Sequence, residues 1–221
     1  MKHLALSLVI GLVSTAACAQ PAVCQQGVQE LQAKRHAESI EPLTQCLKLD
    51  LPAGARALVL QARAQSYREM RRWSAAVEDQ RQSILAARPT DVWPYVMLGA
   101  YLREEGKLEA ALEALQLARQ FDEDGPGTGP GMAVYYHTAK TLHQAGRYGE
   151  AVEAMTQGIP KQPDYGAAFY QRALSYEAMG DRALAKQDLS RAAALVPKDG
   201  YVPEMASKLR EYGFIVKVFK E

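Results

Sequence analysis

Apolar and small residues along this chain fall three or four positions apart, in short runs broken by glycine or proline. The punctuation returns at a fixed interval: Gly146, Ala151 and Pro163 recur as Gly180, Ala185 and Pro197, each 34 residues on (180−146, 185−151, 197−163). Residues three and four apart share one face of a helix, and glycine or proline ends it. The pattern therefore predicts pairs of antiparallel helices, one pair per repeat, that cannot bury their apolar faces alone and must stack.

Three units carry the register most clearly: residues 92–125, 132–165 and 166–199. The first shows Leu98-Gly99, Gly106, Leu108, Ala111, Leu115 and Ala118; the second Tyr135, Ala139, Leu142, Gly146, Tyr148, Ala151, Met155 and Pro163; the third Phe169, Ala173, Tyr176, Gly180, Ala185, Leu189, Ala192 and Pro197. An upstream unit at 57–91 keeps Leu60, Ala64, Tyr67, Trp73, Ala76, Ser83 and Pro89, with 35 residues to the next register (111−76). A unit at 21–54 keeps only Leu31, Ile40, Leu47 and Pro52. Its Pro42 fits a helix that starts with Ser39 as N-cap, and Asp91 as N-cap accommodates Pro94 in the same way.

Small residues where paired helices touch, large ones beside them and a proline at the end resemble the tetratricopeptide-repeat pattern over units 57–91 to 166–199, with an eroded unit before them. The resemblance implies an all-α, right-handed superhelical solenoid of about five helix pairs. Residues 203–212 are expected as a capping helix over the last apolar face, and 213–221 as a short extended tail with the β-prone run Phe214 to Phe219. The resemblance also implies a protein-binding role, with the first helix of each pair lining a concave surface. That face selects Trp93, Val96, Ala100 and Arg103; Ala133, Tyr136, Lys140 and His143; Ala167, Tyr170, Leu174 and Glu177; and upstream Leu58, Gln61, Gln65 and Arg68. Tyr136 and Tyr170 offer large contact area to a peptide or helix, although a tyrosine at this spacing is equally suited to packing on the next helix. Family members that grip a terminal carboxylate use Lys, Arg and Asn there, and this sequence contains no Asn; that mode is discounted.

Residues 1–19 are set apart: Lys2 precedes the apolar run Leu4 to Val13 and a cluster of small residues, the layout of a secretory signal peptide. Ala17-Cys18-Ala19 before Gln20 fits cleavage between Ala19 and Gln20, while Thr15 to Cys18 resembles a lipoprotein site that would place a lipid on Cys18. Both predict export, to the periplasm of a Gram-negative cell, as a soluble protein or as an outer-membrane lipoprotein facing the periplasm. In an oxidising compartment Cys24 and Cys46, early in the first helix and late in the second, are expected to form a disulfide rather than remain buried thiols.

Composition narrows the partner. The formal net charge is +1, and beyond Ala19 the chain carries 25 basic and 25 acidic side chains, which argues against nucleic acid. Charge is uneven: residues 56–88 hold seven arginines against Glu69, Glu78 and Asp79, and residues 92–125 hold three basic and seven acidic side chains. Asp122-Glu123-Asp124 and the Gly/Pro run 125–131 lengthen one junction by six residues (146−106 is 40 rather than 34). A surface loop is expected there, or one that binds calcium or a partner. There is no Gly-x-Ser-x-Gly elbow, phosphate-cradling glycine loop, His-Glu-x-x-His or Cys-x-x-Cys-His. His137 and His143, six apart, lie on different helix faces. No enzyme activity, metal or cofactor is expected. The sequence reading is an envelope scaffold that holds a partner protein, or a lipid-anchored, pilotin-like assembly factor for an outer-membrane pilus or secretion complex.

Overall fold

The computed structural model describes residues 21–123, 131–195 and 203–214. Among them are eleven α-helices and no strands: α1 (Ala22–Gln32), α2 (His36–Leu47), α3 (Ala53–Glu69), α4 (Trp73–Ala86), α5 (Trp93–Glu104), α6 (Leu108–Glu123), α7 (Met132–Gln144), α8 (Tyr148–Gly158), α9 (Gly166–Ala178), α10 (Arg182–Leu195) and α11 (Pro203–Glu211). A 3₁₀ turn, Ile159–Lys161, follows α8. Residues 1–20, where a signal peptide is expected, 124–130, where a surface loop is expected, 196–202 with Pro197, and 215–221, where an extended tail is expected, lie outside the described residues.

From α1 to α10 each odd-numbered helix packs on the even one after it, and each even helix up to α8 on the next odd one. Contacts α1 to α3, α5 to α7 and α7 to α9 join neighbouring odd helices directly, and α4 links α3 to α5, so the fold is a helical solenoid. α11 joins through Met205, Leu209 and Tyr212, which share a buried cluster with Phe169, Ala173 and Leu189.

One turn repeats through the stack. Gly106, Gly146, Gly180 and Gly213 have φ of 86, 75, 85 and 82°, and Lys34 and Arg71 take the same left-handed place at 59 and 55°. At each, the residue's N–H donates three back and the next N–H five back, as in Gly146 to His143 and Arg147 to Leu142, the geometry that closes a helix C-terminus on a left-handed residue. The even-numbered helix then starts two residues later, at 36, 73, 108, 148 and 182. α11 ends on the same turn at Gly213 as the odd-numbered helices before it.

That turn overrides the expected start of α2. Arg35, not Ser39, is the N-cap, and Pro42 sits inside the helix. Ser39 donates to the His36 carbonyl and shares a 2.6 Å hydrogen bond with Ser66 on α3. Proline there removes the helical donor to the Glu38 carbonyl; Glu38 is exposed, so water can replace it. Pro94 needs a smaller correction: α5 starts at Trp93 with Val92 as N-cap, while the Asp91 carboxylate accepts from the Trp93 N–H at 2.9 Å.

Seven residues before each turn the odd helices carry Gly27, Ala64, Gly99, Ala139, Ala173 and Ala206, all buried. The even helix crosses here. A Cβ on Gly99 would lie 2.6 Å from Leu115 Cγ, and one on Gly27 2.7 Å from Leu43 Cγ, so the bulk on the facing helix dictates the missing side chain.

Cys24 and Cys46 are joined by a disulfide with 4.9 Å between their Cα atoms. It ties α1 to α2 across the seam of the first pair.

Candidate functional site

The disulfide also defines which way one position of the row points. Cys24 lies ten residues before its turn and Cys46 twelve after; the same places hold Gln61 and Ser83, Val96 and Ala118, Tyr136 and Gly158, Tyr170 and Ala192, each 22 apart (46−24, 83−61, 118−96, 158−136, 192−170). Gln61 donates to Ser83 Oγ at 2.9 Å, and Val96 is fully buried in one cluster with Ala118 and Val134. This position looks into the seam between the two helices of a pair. Val96 is therefore a core residue and offers nothing to a partner.

The tyrosines at this place, Tyr136 and Tyr170, remain partly exposed. Tyr136 meets Tyr165 edge-on at 5.5 Å and His137 at 5.7 Å, with the Lys140 ammonium 5.6 Å from its ring centroid. Tyr170 and Leu174 are partly buried, and Tyr170 packs against the last cluster. At the start of the odd helices Leu58 is 45% and Trp93 43% exposed, two apolar side chains in matching places on successive repeats.

Arg103 ends α5 with its side chain buried. It donates from Nη2 and Nε to Glu104 Oε1, at 2.7 and 3.2 Å, and its Nη1 lies 3.3 Å from His137 Nδ1. A guanidinium only donates, so Nδ1 accepts and the ring carries its proton on Nε2. Burial, then Arg103 and Lys140, depress His137 to about 3, so the ring is neutral. Burial and Arg103 also lower Lys140, and Glu104 opposes them. Burial, Tyr165 and Tyr170 push the Tyr136 hydroxyl up to about 12, against Arg103. Gln144 donates to the Arg103 carbonyl at 3.4 Å.

One turn further along α7, His143 Nδ1 lies 3.0 Å from Ser175 Oγ, and its ring meets Tyr148 edge-on at 5.1 Å. His143 thus binds α7 to α9 and α8. Glu177, the matching place on α9, is taken by α11: Lys208 and the Tyr212 hydroxyl both donate to its Oε1 at 3.1 Å.

Arg103, Tyr136 and Lys140 thus come together at the middle of the row, while Val96 is withdrawn, His143 is committed to neighbours, and Trp93, Tyr170 and Leu174 flank the centre. His137, Glu104 and Tyr165 belong to the centre and were missed by sequence reasoning. The Arg103–His137 contact crosses the lengthened junction, where the 34-residue register gives no guide; the signal available was two basic and two aromatic side chains within Tyr136 to Lys140 and Arg103. Among the described residues, no group of three or more His, Cys, Asp or Glu is placed to hold a metal ion, and no helix is long and apolar enough to cross a membrane.

Comparison with known proteins agrees with this architecture. Residues 166–199 match the family model described as tetratricopeptide repeat. Crystal structures of MamA superpose on the chain: one at TM-score 0.64 and 20% identity, covering 89% of this chain and 96% of that one, and its AMB-1 form at 0.60 and 21%, covering 79% and 97%. YrrB, titled a TPR protein with an unusual peptide-binding site, superposes at TM-score 0.62 and 17% identity over 87% of this chain and 92% of its own. No curated protein sequence matches the chain. Residues 166–199 thus match a tetratricopeptide repeat, and the described helices on either side carry the same turn and the same small-residue contact.

Proposed function

We propose that this protein is a non-catalytic scaffold of the bacterial cell envelope that holds a peptide or helix of a partner protein along the exposed face of its odd-numbered helices. The observation that carries this is the cluster of Tyr136, Tyr165, Lys140 and Arg103 at the middle of that face, with apolar Leu58 and Trp93 on one side and Tyr170 and Leu174 on the other. Aromatic rings bracketed by cations suit a polypeptide ligand, since they offer contact area at small entropic cost. The peptide-binding site named for YrrB is in keeping with it.

The envelope location rests on the amino-terminal pattern of Lys2, Leu4 to Val13 and the small residues up to Ala19. A second reading, a lipid-anchored assembly factor for an outer-membrane machine, rests on Cys18. Intact mass of the protein from a membrane extract separates them: a chain that starts at Gln20 is soluble, and a diacylglyceryl mass on Cys18 is the anchored form. The face itself is tested by Tyr136→Ala and Tyr170→Ala, read by crosslinked capture from envelope extract with helical circular dichroism as the control. Capture should drop with the helix signal intact; unchanged capture removes this face from consideration.

A further inference from the structure

We infer that the centre of the proposed binding face takes an acidic side chain, an Asp or Glu within an extended segment of the partner, held between Arg103 and Lys140 over the Tyr136 ring. The inference rests on the peptide-binding reading above and specifies its chemistry.

Two cations share a partly dry spot with too little negative charge. Arg103 is buried and uses Nη2 and Nε on one oxygen of Glu104, while Nη1 is given to an uncharged imidazole nitrogen. Glu104 is the acid that acts on Lys140, and it is already engaged by Arg103. Lys140 itself rests over the Tyr136 ring and has no carboxylate within ion-pair distance among the described residues. An ammonium partly withdrawn from water next to a guanidinium is disfavoured by both surroundings, and a carboxylate between them would relieve both. His137, held neutral, adds no charge to offset.

The neighbouring repeats fix the kind of carboxylate. In the next unit the place matching Arg103 is His143, engaged by Ser175, and in the one after it is Glu177, already satisfied by Lys208 and Tyr212, so the row does not present a competing cationic site there. Upstream lie exposed Leu58 and Trp93, and downstream Tyr170 and Leu174. A partner chain thus runs on in both directions from the cationic centre, with apolar side chains on either side of its acid, and does not end there. An internal Asp or Glu meets that description; a chain terminus does not.

The test uses the whole protein as purified and a library of random 12-residue peptides displayed as inserts flanked on both sides, which carry no free terminal carboxylate. Peptides retained by the wild type are expected to share an acidic residue between apolar ones. For a synthetic fluorescent peptide of the consensus, Lys140→Gln should weaken binding by about tenfold, the loss expected for one charge-assisted hydrogen bond. Replacing the acid by its amide should cost the same, and combining the two changes should add little. Lys140 is partly exposed, so the glutamine variant keeps the fold, checked by circular dichroism. If retained peptides lose binding with Tyr136→Ala but not with Lys140→Gln or the amide, the binding face stands and the carboxylate site is wrong. Binding only when the acid is the last residue also overturns it. If the wild type retains no peptide at all, the peptide-binding reading itself falls.

Discussion

Arg172 grips both carboxylate oxygens of Asp188, Nε and Nη2 donating at 2.7 and 2.9 Å across the pair of α9 and α10. Arg63 and Asp79 repeat the arrangement at 2.7 Å for both bonds, 109 residues earlier (172−63, 188−79). Each arginine also reaches back to a threonine of the preceding helix, Thr156 or Thr44. All four charged residues stand eight positions from the turn at Arg71 or Gly180. In the two middle repeats the same places hold Leu98 with Ala114 and Thr138 with Ala154, so these four repeats carry either the ion pair or an uncharged pair and none carries one half of it.

Removing one half should therefore be costly. Asp188→Ala leaves a guanidinium 17% exposed without its partner and should lower stability by about 3 kcal/mol. Arg172→Leu with Asp188→Ala recreates the pair seen at Leu98 and Ala114 and should recover most of that loss. Urea unfolding of the three proteins checks it; a double variant no better than Asp188→Ala refutes the substitution rule.

Gly99→Ala should destabilise by about 1 to 3 kcal/mol, because the new methyl collides with Leu115 Cγ at 2.6 Å and Leu115 has no space to retreat. The same change in reverse, Ala139→Gly, should cost about 1 kcal/mol, through helix propensity, with no collision to relieve. Thermal melts distinguish the two by size.

The turn offers a change in the other direction. Arg71 occupies with φ of 55° the place where four other repeats have glycine. Arg71→Gly should raise stability by up to about 1 kcal/mol, and Gly146→Arg should lower it by a similar amount. Opposite signs at equivalent positions are the signature to look for in the urea midpoint.

Acid should weaken the fold through His137. Its folded value is about 3 against an ordinary 6.5, so between those limits the unfolded chain binds a proton that the folded one refuses. Stability then falls as pH drops from about 6.5 to about 3, by at most about 1.4 kcal/mol per pH unit from this ring, and levels off below. His137→Gln keeps an acceptor for Arg103 without the titration. The wild type should lose ground to this variant as the solution is acidified; parallel curves would exclude the imidazole as the cause.

Reduction is expected to cost about as much as breaking the Arg172–Asp188 clamp. The bridge from Cys24 to Cys46 closes 22 residues, a constraint worth about 3 kcal/mol. Labelling of the denatured, unreduced protein with a thiol reagent should leave both cysteines unmodified, and a reductant should lower the melting temperature; a labelled Cys24 or Cys46 contradicts the bridge.

The repeat was legible in the sequence wherever its two geometric necessities were met by the smallest residue: glycine at the left-handed turn, glycine or alanine at the helix crossing. It faded where Lys34 and Arg71 took the turn instead, and that is where α2 was misjudged, since only the turn reveals that the helix starts before Ser39. The candidate face was half legible. A spacing of three and four finds one side of a helix but not which neighbour it meets, so Val96 was placed with Tyr136 although its own partner helix covers it. The Arg172–Asp188 and Arg63–Asp79 clamps were not read at all, because their members lie 16 residues apart on different helices. Contacts across the lengthened junction, Arg103 to His137 above all, depend on how two repeats are set against each other, which no periodicity encodes.

The covalent tie between α1 and α2 gives the stack a direction. A terminal repeat has a neighbour on one side only, so unravelling of such a row begins at an end. The two helices of the first pair cannot separate while the bond persists, whereas among the described residues α11 is held by side chains: Met205, Leu209 and Tyr212 in the last cluster and the bonds from Lys208 and Tyr212 to Glu177. Opening of the described stack is therefore expected to start from α11 and to travel toward the bridged pair. Amide protons near Leu209 would exchange with solvent sooner than those near Leu43, and a reductant would abolish that order.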